Sequence, residues 1–590
     1  MDTYLGDILS AHGLAWLFAV TLPQLLAAAC LVRRVRPLAL DLAPWSVLPA
    51  LALALWPLPE ARYPFLLIGT ELGLDPIGRV FLLFTAFLWL CSGVYARSYL
   101  ERDPLRHRFF VFFLLTASGN LGLIMARDMI GFYLFFVLMT FAAYGLIMHD
   151  GSLSARRAGL VYVVLAVFGE VMLITALLII GSTANGDAIH PAPLVAASPS
   201  RDLIIALLLA GFGIKAGAIP LHVWLPLAHP VAPTPASAVL SGAMIKAGLL
   251  GWLRFLPVGE SVLPEWGALC MGVGLAAAFY GVLIGLTQHD SKTILAYSSI
   301  SQMGVMTMAV GLGLAVPTAW PLTLTTLLFY ALHHSLAKGA LFLGAGMTGA
   351  AANGGWRAYL FWAGILLAAL ALAGAPLTSG ALAKAGLKEA AHLAADSWYR
   401  PLGRLLTLSS VATAFLMSHF VYSLRIRSRE DHKTHSPEAG QWLSWLLLLV
   451  GVVSVAWWPT AVELDEVRQE LLSLTQVWSG LWVLLLGGML GWLLWRFNRR
   501  GERLIPSIPA GDLLAGVVWL LDLLRSPWQG LESALTGRLR HCGICEIPKI
   551  NPSILFVTLL HGESLLFRWN TAVALFLLLA AALLAIIALM

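Results

Sequence analysis

Six ionisable residues stand inside apolar runs of this chain: Glu170, Lys215, Lys246, His334, Lys338 and Lys384. An ionisable group at mid-bilayer costs roughly 2.5–3.5 kcal/mol or more, so each one reads by default as functional. Desolvation disfavours the ammonium form of a lysine, and a nearby carboxylate restores it. Moving or neutralising that carboxylate then loads or unloads the lysine. A row of such groups at mid-depth, bridged by water, can carry protons along the membrane plane.

Each residue also has an ordinary reading. Lysines at helix ends snorkel, but Lys215 and Lys246 lie well inside apolar runs. His333 and His334 can act as polar glue between helices. Lys338 follows His334 by one turn on the same helix face, and Lys384 and Lys388 also share a face. Lys388 is nearer its helix end and reads as solvated, which favours Lys384. Glu170, in VFGEVML, has no snorkelling route, and its alternative is a structural hydrogen-bonding carboxylate.

These residues need helices across a membrane to hold them. Of 590 residues, 59% are hydrophobic and 12% charged, with a mean hydropathy of +0.83. A soluble domain carries about a quarter charged residues. The net charge of +6 is no nucleic-acid signal, because the arginines sit in short runs beside apolar segments. At about 20 apolar residues per span, the chain reads as an all-α polytopic membrane protein with about sixteen transmembrane helices. Residues 159–181, 202–220, 235–256, 320–347 and 358–390 are the predicted spans that carry the six groups. The first apolar segment is followed by Arg33, Arg34 and Arg36, so it reads as a retained span rather than a cleaved signal. Basic loops at Arg33–Arg36, Arg97–Arg108, Arg156–Arg157, Lys292, Arg425–Lys433 and Arg496–Arg503 alternate with basic-poor ones. That alternation predicts a multi-pass protein of a bacterial inner membrane with both termini outside.

Residues 508–540 interleave apolar positions with Asp522, Arg525, Glu532, Arg538 and Arg540, the pattern of an amphipathic helix lying along the membrane or a partner. Cys30, Cys91 and Cys270 read as packing residues, and five cysteines make no disulfide framework. Cys542 and Cys545, preceded by His541, have metal-ligand or redox spacing, but a single pair is a weak signal, and a thiol pair touching a partner is favoured. No glycine-rich phosphate loop and no cysteine set for an iron–sulfur cluster is present. No metal or cofactor is expected, so any redox chemistry must occur in partner subunits.

A weak internal symmetry is also legible. GFGIKAGAIP (211–220) places Lys215 five residues before Pro220, and ALAGAPLTSGALAKAG (371–386) places Lys384 eight residues after Pro376. Paired Gly/Pro-interrupted spans in corresponding halves point to an inverted-repeat transporter.

The stretch LLAGFGIKAGAIPLHVWLPLAHPVAPTPASAVLSGAMIKAGLLG (208–251) resembles the antiporter-like proton-translocating subunits of respiratory complex I, multisubunit sodium/proton antiporters and membrane-bound group 4 hydrogenases. Subunits of the hydrogenase-4 and formate hydrogenlyase kind look nearest. QHDSKTILAYSSISQMG (288–304), HHSLAKGALFLGAG (333–346) and LAGAPLTSGALAK (372–384) extend the likeness, which covers about residues 70–425. The resemblance implies a fourteen-helix core of two inverted five-helix repeats. It matches Lys215 to the broken-helix lysine of the first half and Lys246 to the connecting lysine. His334 and Lys338 match the central groups of the second half, and Lys384 matches the exit-side lysine.

The implied layout is N-terminal helices over 1–105, a first repeat over 106–257 and a second over 258–430. Additional helices follow over 431–500, then an amphipathic lateral helix and connector over 501–567, and a terminal span over 568–590. The implied function is proton translocation within a multisubunit energy-converting oxidoreductase. Its implied partners are other membrane and peripheral subunits, the bilayer and protons, with sodium as the other candidate ion and no nucleic acid. A non-redox cation/proton antiporter or an inorganic-carbon uptake complex is the alternative. Two departures stand out. The family's span-five glutamate is replaced by Val137, and Glu170 on the next span is expected to take its role. Many relatives have a histidine one turn before His334, where this chain has Tyr330.

Overall fold

Backbone amides cannot stay unpaired in lipid, and this chain satisfies them with helices. The computed structural model describes residues 11–64, 69–183, 191–352, 354–394, 396–430, 436–457, 462–499 and 508–516. A large unit, residues 1–63 and 70–513, holds every residue discussed below. Of the small unit, residues 64–69 and 514–590, only 64, 69 and 514–516 are described. Most of the predicted amphipathic helix, Cys542, Cys545 and the predicted terminal span therefore lie outside the described residues.

Twelve helices among the described residues are long and apolar enough to cross a membrane. The described residues open with α1 (Ala11–Leu31), then α2 (Arg36–Leu42) and α3 (Leu48–Leu55) joined through a 3-10 turn. A two-stranded antiparallel hairpin, β1 (Ala61–Tyr63) and β2 (Thr70–Leu72), precedes α4 (Pro76–Tyr99). Then come α5 (Arg106–Met125), α6 (Met129–Ile147) and α7 (Leu153–Thr183). Asp75 and Asp128 cap α4 and α6 by accepting from the amides of Gly78 and Gly131. Burial opposes ionisation of Asp75, but Arg254, the Gly78 amide and Arg127 outweigh it and hold its carboxyl below the ordinary range.

After a short α8 (Pro191–Ala197), the predicted span at 202–220 is α9 (Arg201–Ala216), which stops short of Pro220 and is followed by the separate α10 (Trp224–Val231). Gly217 ends α9 in the left-handed conformation, φ 72°, which a side chain would resist. The span α11 (Thr234–Phe255) contains a π turn at Leu240–Met244. Helices α12 (Pro264–Gly285), α13 (Ser291–Ala315) and α14 (Trp320–Ala345) follow unbroken. A single turn, α15 (Gly349–Ala352), leads to the predicted span at 358–390, which is split into α16 (Gly355–Ala373) and α17 (Ser379–His392). Gly374 stops α16 with φ 87°. The last described helices are α18 (Asp396–Glu430), α19 (Ala439–Val455), α20 (Val462–Leu471) and α21 (Leu474–Arg499).

The core around the ionisable residues is tight. A Cβ at Gly248 of α11 would stand 2.5 Å from the Phe212 carbonyl oxygen and 2.7 Å from the Ala216 amide nitrogen of α9. Only a bare backbone lets α11 approach α9 beside Lys215. Gly248→Ala is therefore expected to lower stability by about 1–3 kcal/mol, read as a lower melting temperature in detergent. Cys30, Cys91 and Cys270 are all buried, in keeping with packing roles.

Candidate proton path

Each of the six predicted residues is buried, at 7% exposure or less. None of the lysines snorkels: their ammonium groups end on internal partners. Lys215, in the last turn of α9, donates to the Tyr162 hydroxyl at 3.0 Å, and Tyr162 donates to the Thr140 carbonyl at 2.7 Å. The Lys215 ammonium also lies 5.3 Å and 5.7 Å from the ring centres of Tyr162 and Phe136, within cation–π range.

Glu170 of α7 lines the same small cavity as Lys215, with Thr140, Tyr162 and Ala166. Its carboxylate oxygens accept no hydrogen bond. Thr140 is near enough to act on the carboxylate electrostatically but is not in hydrogen-bonding geometry. Glu170 and Lys215 feel each other's charge without forming a direct ion pair. The cavity between them is about 10 Å³, at the lower bound for one water. The unsatisfied oxygens weigh against a merely structural carboxylate. Val137, the position of the family's span-five glutamate, is half-buried and does not line this cavity, whereas Phe136 and Thr140 do.

Lys246 donates at 2.6 Å to the Ser241 carbonyl, within the π turn of α11. Such π turns recur at functional sites. From this point a polar thread crosses to α13 and α14. The Ser241 hydroxyl meets that of Ser299 on α13 at 2.7 Å, and Ser299 donates to the Leu295 carbonyl at 3.0 Å. Lys338 of α14 donates to the same carbonyl at 2.7 Å and to the Ser298 hydroxyl. Among the described residues no hydrogen bond links Lys215 to Lys246.

Beyond Lys338 the histidines divide their work. Both ring nitrogens of His334 are buried without a hydrogen-bond partner, and the charges of Lys246 and Lys338 reach it. His333 faces the second broken helix: its Nδ1 pairs with the Ser379 hydroxyl at 2.7 Å, and Lys384 acts on it electrostatically. Lys384 donates at 2.9 Å to the Ala373 carbonyl, the free C-terminal end of α16. A cation there complements the negative end of the helix dipole. Tyr330, one turn before His334, donates at 2.7 Å to the Gln302 side-chain oxygen.

The structure adds residues that a search for charge alone passes over. Ser241, Ser298 and Ser299 carry the link from α11 to α14, and the run YSSISQ within 288–304 is the signal for the latter two: a buried helix with polar residues on several faces. His229 is buried, stacks on Phe342 at 4.6 Å, and lies within reach of the charges of Lys338 and Lys292. Lys292, read from sequence as a loop residue, is buried and donates at 2.8 Å to the Ala232 carbonyl at the end of α10.

A further cluster lies beside the first broken helix. Asp512 accepts hydrogen bonds from the hydroxyls of Tyr280 at 2.7 Å and Tyr297 at 3.1 Å, and stands 3.5 Å from Nε2 of His222. Gln288 donates to the Ile508 carbonyl at 2.9 Å. Burial opposes ionisation of Asp512, but His222 and Tyr280 overcome it and lower its pKa from 3.8. A lowered pKa contributes stability that is present above the unfolded value and lost as pH falls through the folded one. Docking of residues 508–513 is therefore expected to hold at neutral pH and loosen below about pH 4. Asp512→Asn should give faster amide exchange over 508–513 already at pH 7, measured by hydrogen–deuterium exchange.

Comparison with known proteins agrees with this geometry. Residues 126–407 match the family described as NADH:quinone oxidoreductase/Mrp antiporter, transmembrane. Hydrogenase-4 component B of Escherichia coli is 32% identical over 294 residues, covering 48% of this chain and 44% of that protein. NADH-quinone oxidoreductase subunit N of Desulforudis audaxviator is 32% identical over 369 residues, covering 59% of this chain and 69% of that one. The chain thus spans less than half of the first relative and about two thirds of the second. The fold is shared with a chain of the Mrp complex from Dietzia sp., at a TM-score of 0.67 and 23% identity over 95% of this chain and 67% of that one. With its interrupted helices and buried lysines in the matched segment, the chain belongs to the family of antiporter-like membrane subunits common to NADH:quinone oxidoreductases and Mrp antiporters.

Proposed function

We propose that this chain is the proton-translocating membrane subunit of a multisubunit energy-converting oxidoreductase of the hydrogenase-4, formate hydrogenlyase or complex I kind. The observation that carries the reading is the buried thread from Lys246 through Ser241, Ser299 and the Leu295 carbonyl to Lys338. The carbonyls of Ser241 and Leu295 anchor the line without relaying a proton, and the lysines and hydroxyls they hold can exchange protons through bridging water, whereas a scaffold has no use for a costly row of interior cations. Lys215 with Glu170 forms the first-half unit, His334 the centre, and Lys384, reached through His333, the far end. Redox chemistry belongs to partner subunits in this reading, and the chain contributes the pumping limb.

The finer architecture belongs to the same proposal: about sixteen spans in a bacterial inner membrane, both termini outside, and two inverted five-helix repeats over 106–257 and 258–430. The left-handed glycines at 217 and 374, each beside a buried lysine, support the pairing of the two broken helices.

Copurification in mild detergent tests the assignment. Hydrogenase-like or complex I-like subunits in the purified assembly are expected. Small antiporter subunits, or a carbonic-anhydrase-like protein, would overturn the redox link and leave proton flux standing.

A further inference from the structure

A cavity of about 730 Å³ opens between α16, α18 and α21, and touches the candidate proton path at Ala373, whose carbonyl accepts from Lys384. Its two ends differ in chemistry. One is small and apolar, walled by Ala373, Ala414 and Gly488; the other carries Arg425 and Arg429 of α18 with Tyr422 and Trp492. The two arginines are one turn apart on a single helix face. Both are exposed, and neither makes an ion pair among the described residues. Arg427, between them in sequence, instead pairs with Asp290 at 3.3 Å on another face.

The dimensions fit a lipid. From Ala414 to Arg425 the helix rises about 16 Å at 1.5 Å per residue, close to half of the roughly 30 Å hydrocarbon core. A head group at the arginines would thus place its acyl chain against Ala414 and Gly488. A Cβ at Gly488 would meet nothing within 4 Å, whereas Gly487 and Gly491 pack on Ala414 and Ser418. The close contact holds α21 to α18, and Gly488 faces open space. Trp492 and Tyr422 supply the amphipathic rings found at head-group level.

We propose that this crevice is a binding site for an anionic diacyl phospholipid, its phosphate held by Arg425 and Arg429 and one acyl chain lying along α18 and α21. Paired arginines match phosphate oxygens in charge and in donor geometry. Basic pockets between transmembrane helices are established places for such head groups. The neutral walls behind them exclude a free anion as the natural occupant.

The test is native mass spectrometry of the full chain, purified in mild detergent after equilibration with phosphatidylethanolamine vesicles with or without phosphatidylglycerol. The wild type is expected to retain phosphatidylglycerol in preference to phosphatidylethanolamine. Arg425→Gln with Arg429→Gln should lower that retention about tenfold or more, at roughly 1 kcal/mol per basic residue near an anionic surface. Arg425→Lys with Arg429→Lys should keep most of it, which separates lost charge from a damaged fold. Gly488→Leu should lower retention with both arginines intact, which separates a lipid from a bare phosphate. Equal retention of the two lipids by the wild type, no retained phospholipid, displacement by inorganic phosphate, or unaltered retention in the glutamine and leucine variants would each overturn the proposal.

Discussion

Glu170→Gln is expected to cut proton translocation by about a hundredfold, the lower end of what a positioned acid–base group contributes, with little change in thermal stability. Glutamine keeps the shape of the side chain but removes the carboxylate that lines the Lys215 cavity. Because the Glu170 oxygens accept no hydrogen bond, the substitution takes an acceptor away from no existing donor. Lys215 would keep its Tyr162 contact and lose only the carboxylate that shares its cavity. The measurement is fluorescence quenching of a pH-sensitive dye in inverted vesicles carrying the assembled complex. A second variant sharpens it. Ala166 lines the same cavity one turn earlier on α7, so Ala166→Glu in the Glu170→Gln background should recover part of the rate. Wild-type pumping in Glu170→Gln would mean that the first half does not couple through this residue, and that the missing carboxylate at Val137 marks a lost function instead.

Lys338→Met should have the larger effect, roughly a hundredfold to ten-thousandfold on transport, because it breaks the thread where the halves join. Methionine fills similar volume and cannot donate, so the Leu295 carbonyl and the Ser298 hydroxyl both lose their ammonium partner. Ser299→Ala removes a single hydroxyl from the same line and should cost about five- to tenfold, the scale of one hydrogen bond of about 1 kcal/mol. Ser241→Ala should cost the same. The double serine variant should be no worse than either single one, since both break a shared contact at 2.7 Å. Additive losses in the double variant, or normal transport in Lys338→Met, would mean that protons cross between halves by another route. Dye quenching reports the rate, and copurified subunits report assembly.

Much of the proposed path is legible in residue order alone. Lys215, Lys246, Lys338 and Lys384 stand out because charge in an apolar run is expensive, and all four are buried on internal acceptors. The breaks near Gly217 and Gly374 are signalled by Gly and Pro beside those lysines. The long helix at 320–345 falls within two residues of the span predicted at 320–347, because an unbroken apolar run leaves the backbone no other way to pair in lipid. Short-range detail is less legible. Ser298 and Ser299 are ordinary residues in composition, and His333 and His334 are neighbours that no periodicity can rank.

The sequence by itself determined that this is a helical membrane protein with interior cations, since hydropathy and desolvation cost are properties of residues in order. The family likeness in its motifs was equally a matter of residue order. Tertiary structure decided which groups meet. It turned His333 rather than His334 toward Ser379, set Lys246 on the Ser241 carbonyl within the π turn of α11, and brought Asp512 to His222 across 290 residues of chain. Those contacts depend on the rotation and approach of helices distant in sequence. Close packing sets that approach, down to the missing Cβ of Gly248, and no local pattern of residues encodes it.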